Sequence, residues 1–372
     1  MSAKITICIF SVLLLGLAAF NLLLPDKAFS ENENRYLAQR PAFSVEALFL
    51  GSYTEEFDTY ITDQFVLRDA WVGLKTIAER ALGRRSASGV YFADDGYLIE
   101  MFDDLDEVYW EKNLGYVRDF SEKYGERGLR VSTMLIPTAS LVLEEKLPGF
   151  APEVDQRALL SEAAGRLPGF VDVSGALGGH KDEYIFYRTD HHWTTLGAFC
   201  AYNCWRGYLG EAPRPLDDFD QTVLSDAFYG TTYSKASLYT ASPDTITAFV
   251  PREAGALAVD YNLGEILRDS IYETSYLEAK DKYSVFLNAN QSISHISTQT
   301  QNGRRLLIVK DSYANAFVQL LTEDYEEIYV VDLRYFKASI EEFIAGNGIT
   351  DALVLYNIKG FSTDPNLFFL LR

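Results

Sequence analysis

The chain has 372 residues, with 33 Lys and Arg against 53 Asp and Glu for a net charge of −20, and 48% apolar against 23% charged residues. That length accommodates one large domain or two modest ones with a sizeable core, and the composition is that of a globular body rather than a disordered chain. The acidic balance excludes a nucleic-acid-binding surface, which needs clustered Lys and Arg to neutralise phosphates.

From Ile5 to Leu24 the chain runs twenty residues without a charge, closed by Pro25, Asp26 and Lys27. As a helix rising about 1.5 Å per residue, this stretch spans the ~30 Å hydrocarbon layer of a bilayer. Residues 1–25 are therefore expected to be a transmembrane anchor. The alternative is a signal peptide cut near Ala28-Phe29-Ser30, although cleaved signals carry a shorter apolar core of about 7–15 residues. Lys4 before the span, and Asp26, Glu31 and Glu33 after it, place the remainder outside the cytoplasm. Residues 26–42 are polar and read as a stalk, leaving 43–372 as the main domain.

Within 43–85, Phe57, Tyr60, Ile61, Phe65, Trp71, Leu74 and Ile77 recur at helical spacing. Val90-Tyr91-Phe92 and Tyr97-Leu98-Ile99 flank an Asp94-Asp95-Gly96 turn and predict a hairpin. Helix is expected over 105–124, strand over 129–136, helix over 156–167 and a short strand over 170–173. An apolar helical run follows over 196–208; Cys200 and Cys204 share its face and suit two small core residues better than a disulfide. Near the C-terminus, strands at 305–310, 327–331 and 352–356 alternate with helices at 313–321 and 339–345. Apolar strands alternating with helices imply an α/β fold with a mostly parallel sheet covered on both faces. The intervening stretch of about 214–300, rich in Tyr, Thr and Ser, reads as a β- and loop-rich insertion whose strands, such as 245–250, have no assigned place on that sheet.

Chemistry concentrates in two places. The chain has four histidines, His180, His191, His192 and His295, and two of them lie in Asp190-His191-His192-Trp193, just before the 196–208 run. Ser312 lies at the junction between the 305–310 strand and the helix after it, where open α/β sheets bind their ligands. A serine there is a nucleophile if a base reaches it, and helix-start N–H groups nearby can stabilise an oxyanion. Its rival role is a helix N-cap. The Asp-His-His run supplies a base and an orienting carboxylate; three adjacent side chains are a poor ligand set for zinc, and no metal is expected.

The runs TDHHWT with LGA, VKDSYAN and YSVFLNANQ resemble the bacterial DHHW proteins, relatives of the alginate O-acetylation proteins in the SGNH-hydrolase-like superfamily. SENENRYLAQRP, YITDQFVLRDAW, VYFADDGYL and VVDLRYF extend the resemblance over nearly the whole chain. It implies a three-layer SGNH-hydrolase-like fold whose motif order is circularly permuted, Asp and His preceding Ser. It also implies a triad of Asp190 as orienter, His192 as general base and Ser312 as nucleophile. His191, Trp193, Tyr313, Arg334 and Asn357 are then expected to contact substrate or the oxyanion. For Arg334 and Asn357 the competing roles are a surface salt bridge and a turn residue. Lys310 stands where simple SGNH hydrolases have the Gly of Gly-Asp-Ser. The implied activity is O-acetylation of an exported or cell-surface polysaccharide, with an acetylesterase or a non-catalytic envelope scaffold as alternatives. A membrane-bound O-acyltransferase is the implied acetyl-donating partner, and no cofactor is implied.

Overall fold

The computed structural model describes residues 3–30, 32–33 and 35–372; Glu31, one of the acidic residues beside the apolar span, lies outside them. The chain divides into two compact units, residues 1–88 with 233–240, and residues 89–232 with 241–372.

In the first unit a helix over Ala3–Leu23 is long and apolar enough to cross a membrane or to serve as a signal sequence. Shorter helices follow at Val45–Leu50, Ser52–Asp63 and Arg68–Ala81. The polar residues after the span pair with one another and with the helices that follow. Phe29–Ser30 pairs antiparallel with Arg35–Tyr36. Arg35 then donates from Nη1 and Nη2 to the buried Asp63 carboxylate at 2.8 and 2.6 Å, and the Ala38 peptide N–H adds a third bond at 2.8 Å. The hydrogen bonds from Arg35 hold the Asp63 carboxyl down at about 2 against the effect of burial. Segment 233–240 joins this unit: Thr76 Oγ1 donates to Ala236 O at 3.5 Å, and a Cβ on Gly73 would stand 2.6 Å from the Tyr239 ring.

The second unit is built on a seven-stranded sheet. Its strands are β1 (Arg130–Ile136), β2 (Ala258–Tyr261), β3 (Ile266–Arg268), β4 (Ile293–Ser297), β5 (Arg305–Lys310), β6 (Glu327–Val331) and β7 (Asp351–Asn357), in the order β3-β2-β4-β6-β5-β7-β1. β6, β5, β7 and β1 run parallel, whereas β4, β2 and β3 add on antiparallel. The supposed insertion therefore supplies three strands of the main sheet. It also supplies a separate bulged hairpin, Phe219–Phe228 with Asp244–Pro251. Residues 170–173 form no strand; Phe170 makes a single parallel bridge to Thr133 of β1.

Side chains along β5 alternate between two buried clusters, Leu306 and Ile308 on one face, Leu307 and Val309 on the other. That is what a period of two dictates when both faces are covered, and it explains the unbroken apolar run. Cys200 is buried and Cys204 half-buried in the Thr195–Tyr208 helix, both as free thiols. The chain leaves β5 for β6 on one side and reaches β7 on the other. The carboxyl end of β5 is thus the topological switch point, where a crevice opens between diverging connections.

Candidate active site

Ser312 follows β5 by two residues, at that switch point. The helix after it is shorter than its sequence suggests, four α-helical residues Ala314–Phe317 continued as a 3-10 turn over Val318–Leu321. Tyr313, not Ser312, occupies its N-cap position, and no side chain caps it. The hydroxyl of Ser312 is thus not used as a cap; Oγ lies 2.7 Å from His192 Nε2.

His192 reaches this position because residues 185–194 double back. Thr194 N donates to Ile185 O at 2.9 Å and Tyr187 N to His192 O at 3.2 Å, which puts Asp190 and His191 at the tip. The other ring nitrogen, Nδ1, stands 2.5 Å from Asp190 Oδ1. With Nδ1 carrying its proton toward the carboxylate, Nε2 is the acceptor and Ser312 Oγ the donor. Asp190 is buried, and Oδ1 also accepts from His192 N at 3.0 Å. Oδ2 accepts from Thr231 N at 2.7 Å and Thr231 Oγ1 at 2.9 Å. Burial acts to raise the Asp190 carboxyl, but the facing His192 and His191 rings and these hydrogen bonds outweigh it and hold the group far below the ordinary range. Gly230 makes the approach possible, since a Cβ there would stand 2.2 Å from Asp190 Cβ.

Several braces were invisible as motifs. Asp244, at the start of the second hairpin strand, is a buried carboxylate that accepts from Tyr184 Oη, from Arg188 N at 2.8 Å, and from Thr189 N and Oγ1 at 2.7 and 2.5 Å. Burial pushes its carboxyl up despite those bonds. Tyr283, also buried, lies flat on the imidazole of His192, with centroids 3.9 Å apart and planes at 12°, and its hydroxyl donates to Ser312 O at 3.1 Å. The one advance hint of Tyr283 was its place at the head of the YSVFLNANQ run.

The expected substrate contacts divide. Trp193 and Tyr313 are buried, so their faces are closed to a sugar; Trp193 Nε1 donates to Tyr313 O at 2.9 Å and Tyr313 Oη donates to His191 O. Both brace the loop from behind. His191 is partly exposed, and its Nδ1 donates to Thr231 Oγ1 at 2.6 Å. Arg334 grips the fully buried Asp332 with Nε and Nη2 at 2.9 and 2.6 Å, the ion pair that was its competing role. Asn357, at the end of β7, caps the helix Ile358–Thr363, its Oδ1 accepting from Lys359 N at 3.1 Å and Gly360 N at 3.2 Å. Its Nδ2 is buried and makes no well-aligned hydrogen bond among the described residues, with the Tyr313 hydroxyl as its neighbour.

Lys310 is buried beneath the site. Its Nζ donates to Asn290 Oδ1 at 2.9 Å and Asn315 Oδ1 at 2.7 Å, with Asp332 Oδ2 at 3.7 Å. Burial lowers its pKa to about 8, against the opposing pull of Asp332. Asn290 is delivered by a left-handed turn in which Leu287, Asn288 and Ala289 have φ of 55°, 52° and 67°. Asp311 fixes the strand ends, Oδ1 accepting from Tyr313 N and Oδ2 from Asn357 N at 2.9 and 2.7 Å. The potential ligand atoms of Asp190, His191 and His192 lie within 4.8 Å of one another. A metal ion there would have to displace the Asp190–His192 and His191–Thr231 bonds.

Serine, imidazole and buried carboxylate thus stand in a hydrogen-bonded series at the switch point of a mixed α/β sheet. The chain belongs to the DHHW family: the DHHW protein model matches residues 131–331, more than half its length. A DHHW family protein of Eubacterium siraeum has a similar structure, with 29% identity, a TM-score of 0.66, and coverage of 77% of this chain and 95% of that one. The Bacillus cereus PatB1 structure with a sulfonyl adduct shares the fold at a TM-score of 0.63 and 18% identity, over 76% of this chain and 100% of its own. In sequence, the probable alginate O-acetylase AlgJ of Pseudomonas aeruginosa is 27% identical over 208 residues, 52% of this chain. That match spans less than half of the relative, 48% of its length.

Proposed function

We propose that the protein is a serine-dependent acyltransferase that O-acetylates an exported or cell-surface polysaccharide. The observation that carries this reading is the 2.7 Å approach of Ser312 Oγ to His192 Nε2, with Nδ1 of the same ring held by Asp190. Kinship with a probable alginate O-acetylase supports the choice of acetyl group and polysaccharide. In this reading the fold is a three-layer SGNH-hydrolase-like one with permuted motif order.

Ser312 Oγ attacks the acetyl carbonyl as His192 Nε2 takes its proton, and that proton passes to the leaving group of the donor. Asp190, ionised, stabilises the imidazolium without accepting its proton. The acetyl group rests on Ser312 as an ester. A sugar hydroxyl then attacks, giving its proton to His192, which returns one to Ser312 as the ester breaks. The oxyanion is assigned to the Ser312 amide, with the Nδ2 group of Asn357 at the end of β7 as the helping donor. Arg334 supplies positive charge at the rim, and His191 contacts substrate. The acetyl donor reaches Ser312 from a membrane-bound O-acyltransferase, and residues 1–25 anchor the domain outside the cytoplasm.

Purified protein should release acetate from a chromogenic acetyl ester and be labelled at Ser312 by a sulfonyl fluoride. Ser312→Ala and His192→Ala should each lower turnover about a thousandfold or more. Equal activity in both variants removes the triad. Acetate passing to water as readily as to an added oligosaccharide makes the protein an esterase.

A further inference from the structure

The helix Arg68–Ala81 is inside out for a soluble protein. Its inward face carries Gly73 and Thr76, both buried, packed against the 233–240 segment of its own unit. Its outward face and its two caps carry large apolar side chains: Trp71 is 46% exposed and Leu74 57% on the helix, Leu67 67% and Leu82 89% at its ends. With 3.6 residues per turn, Trp71 and Leu74 fall together with Ala78 and Ala81 in an arc of about 80°, and Leu67 and Leu82 cap the two ends of the helix. A helix in water turns such an arc to the core. This one turns it away.

The beginning of the helix is tied to the end of the apolar span. Asn21, two residues before the end of the Ala3–Leu23 helix, accepts a hydrogen bond through Oδ1 from Val66 N at 2.6 Å. Leu67, next in the chain, opens the Arg68–Ala81 helix. If Ala3–Leu23 spans the hydrocarbon, that bond holds Leu67 at the level where acyl chains meet headgroups. Two more exposed apolar residues, Phe49 and Leu50, end the Val45–Leu50 helix of the same unit. Tryptophan prefers that interfacial depth, and an apolar stripe opposite a polar face is how a helix lies in it.

We infer that the Leu67–Leu82 stripe docks on the phospholipid bilayer in which residues 3–23 are anchored, so that the first unit is a membrane-lying collar and not a free stalk. The inference rests on the span remaining uncleaved and is independent of the chemistry at Ser312. Expected depth is about 5–10 Å into the headgroup and acyl boundary.

The chain carries its own reporter. Of its four tryptophans, Trp110, Trp193 and Trp205 are buried and Trp71 alone is exposed. The full chain, reconstituted in vesicles of phosphatidylethanolamine and phosphatidylglycerol, should float with the lipid. Lipids brominated near the top of their acyl chains should then quench roughly half or more of the Trp71 emission, taken as the difference between wild type and Trp71→Phe. Leu74→Asp, which keeps the reporter, should shift that emission to the red and weaken the quenching. A chain that does not float overturns the anchor and the docking together. A chain that floats with Trp71 unquenched overturns the docking alone, and assigns the stripe to a protein partner absent from the vesicles.

Discussion

Asp190 accepts four hydrogen bonds, from His192 N and Nδ1 and from Thr231 N and Oγ1. A carboxyl held so low contributes stability in full above the ordinary Asp value of about 3.9, and loses it only as pH falls toward the lowered folded value. Asp190→Asn puts an amide where the Nδ1 proton needs an acceptor, favouring the wrong tautomer; ester turnover should fall about 10²- to 10⁴-fold with folding retained by circular dichroism. Lys310 has a pH signature of the same sign, in an alkaline window. Its folded pKa of about 8 lies below the ordinary 10.5, so between those values the unfolded chain holds a proton that the folded one lacks. Stability should rise with pH through that window in the wild type and not in Lys310→Met, read from denaturant midpoints at pH 7 and 10. At Gly230, any Cβ meets Asp190 at 2.2 Å. Gly230→Ala should cost about 1–3 kcal/mol and slow turnover as the carboxylate is pushed off line.

At the scale of elements, the site is a loop, a strand end and a turn brought together by burial. The 185–194 loop is held from outside by Asp244, whose carboxylate serves donors on Tyr184, Arg188 and Thr189. Asp244→Ala leaves those donors unpaired in a closed space; we expect a loss of about 1–3 kcal/mol in chemical denaturation and a drop in kcat without a matching change in KM. The parts legible in sequence were those whose signal is local. β5, β6 and β7 are apolar runs between helices, and Asp190, His192 and Ser312 stand in compact motifs. What was not legible acts across the chain. Asp244 lies 55 residues from Thr189, and Thr231 lies 41 from Asp190, with nothing around either to mark it. β2 and β3, four and three residues long, carry too few side chains to show a period, so their place in the sheet depended on partners the sequence does not name. Trp193 and Tyr313 read as substrate or oxyanion contacts because aromatics beside a catalytic motif can be either contact or core, and only burial separates the two.

Over the whole molecule the charge of −20 sets the terms on which an acceptor polymer arrives. A neutral oligosaccharide should be acetylated at a rate nearly independent of salt. An anionic one should be repelled at low ionic strength and gain as salt shortens the Debye length from about 30 Å at 0.01 M to about 10 Å at 0.1 M, which initial rates across that range will show. The ends of the large sheet bear on a different matter. At one side the last strand, β3, is three residues long and ends in Arg268. At the other, β1 is flanked by the 169–171 segment, where Thr133 N donates to Gly169 O at 3.0 Å and Val171 N to Thr133 O at 2.8 Å. Residues too few to count as a strand thus occupy the peptide groups of Thr133, in the middle of β1. At these two margins the large sheet presents a short strand and a partly covered one, which limits edge-to-edge pairing through it between crowded copies of the protein.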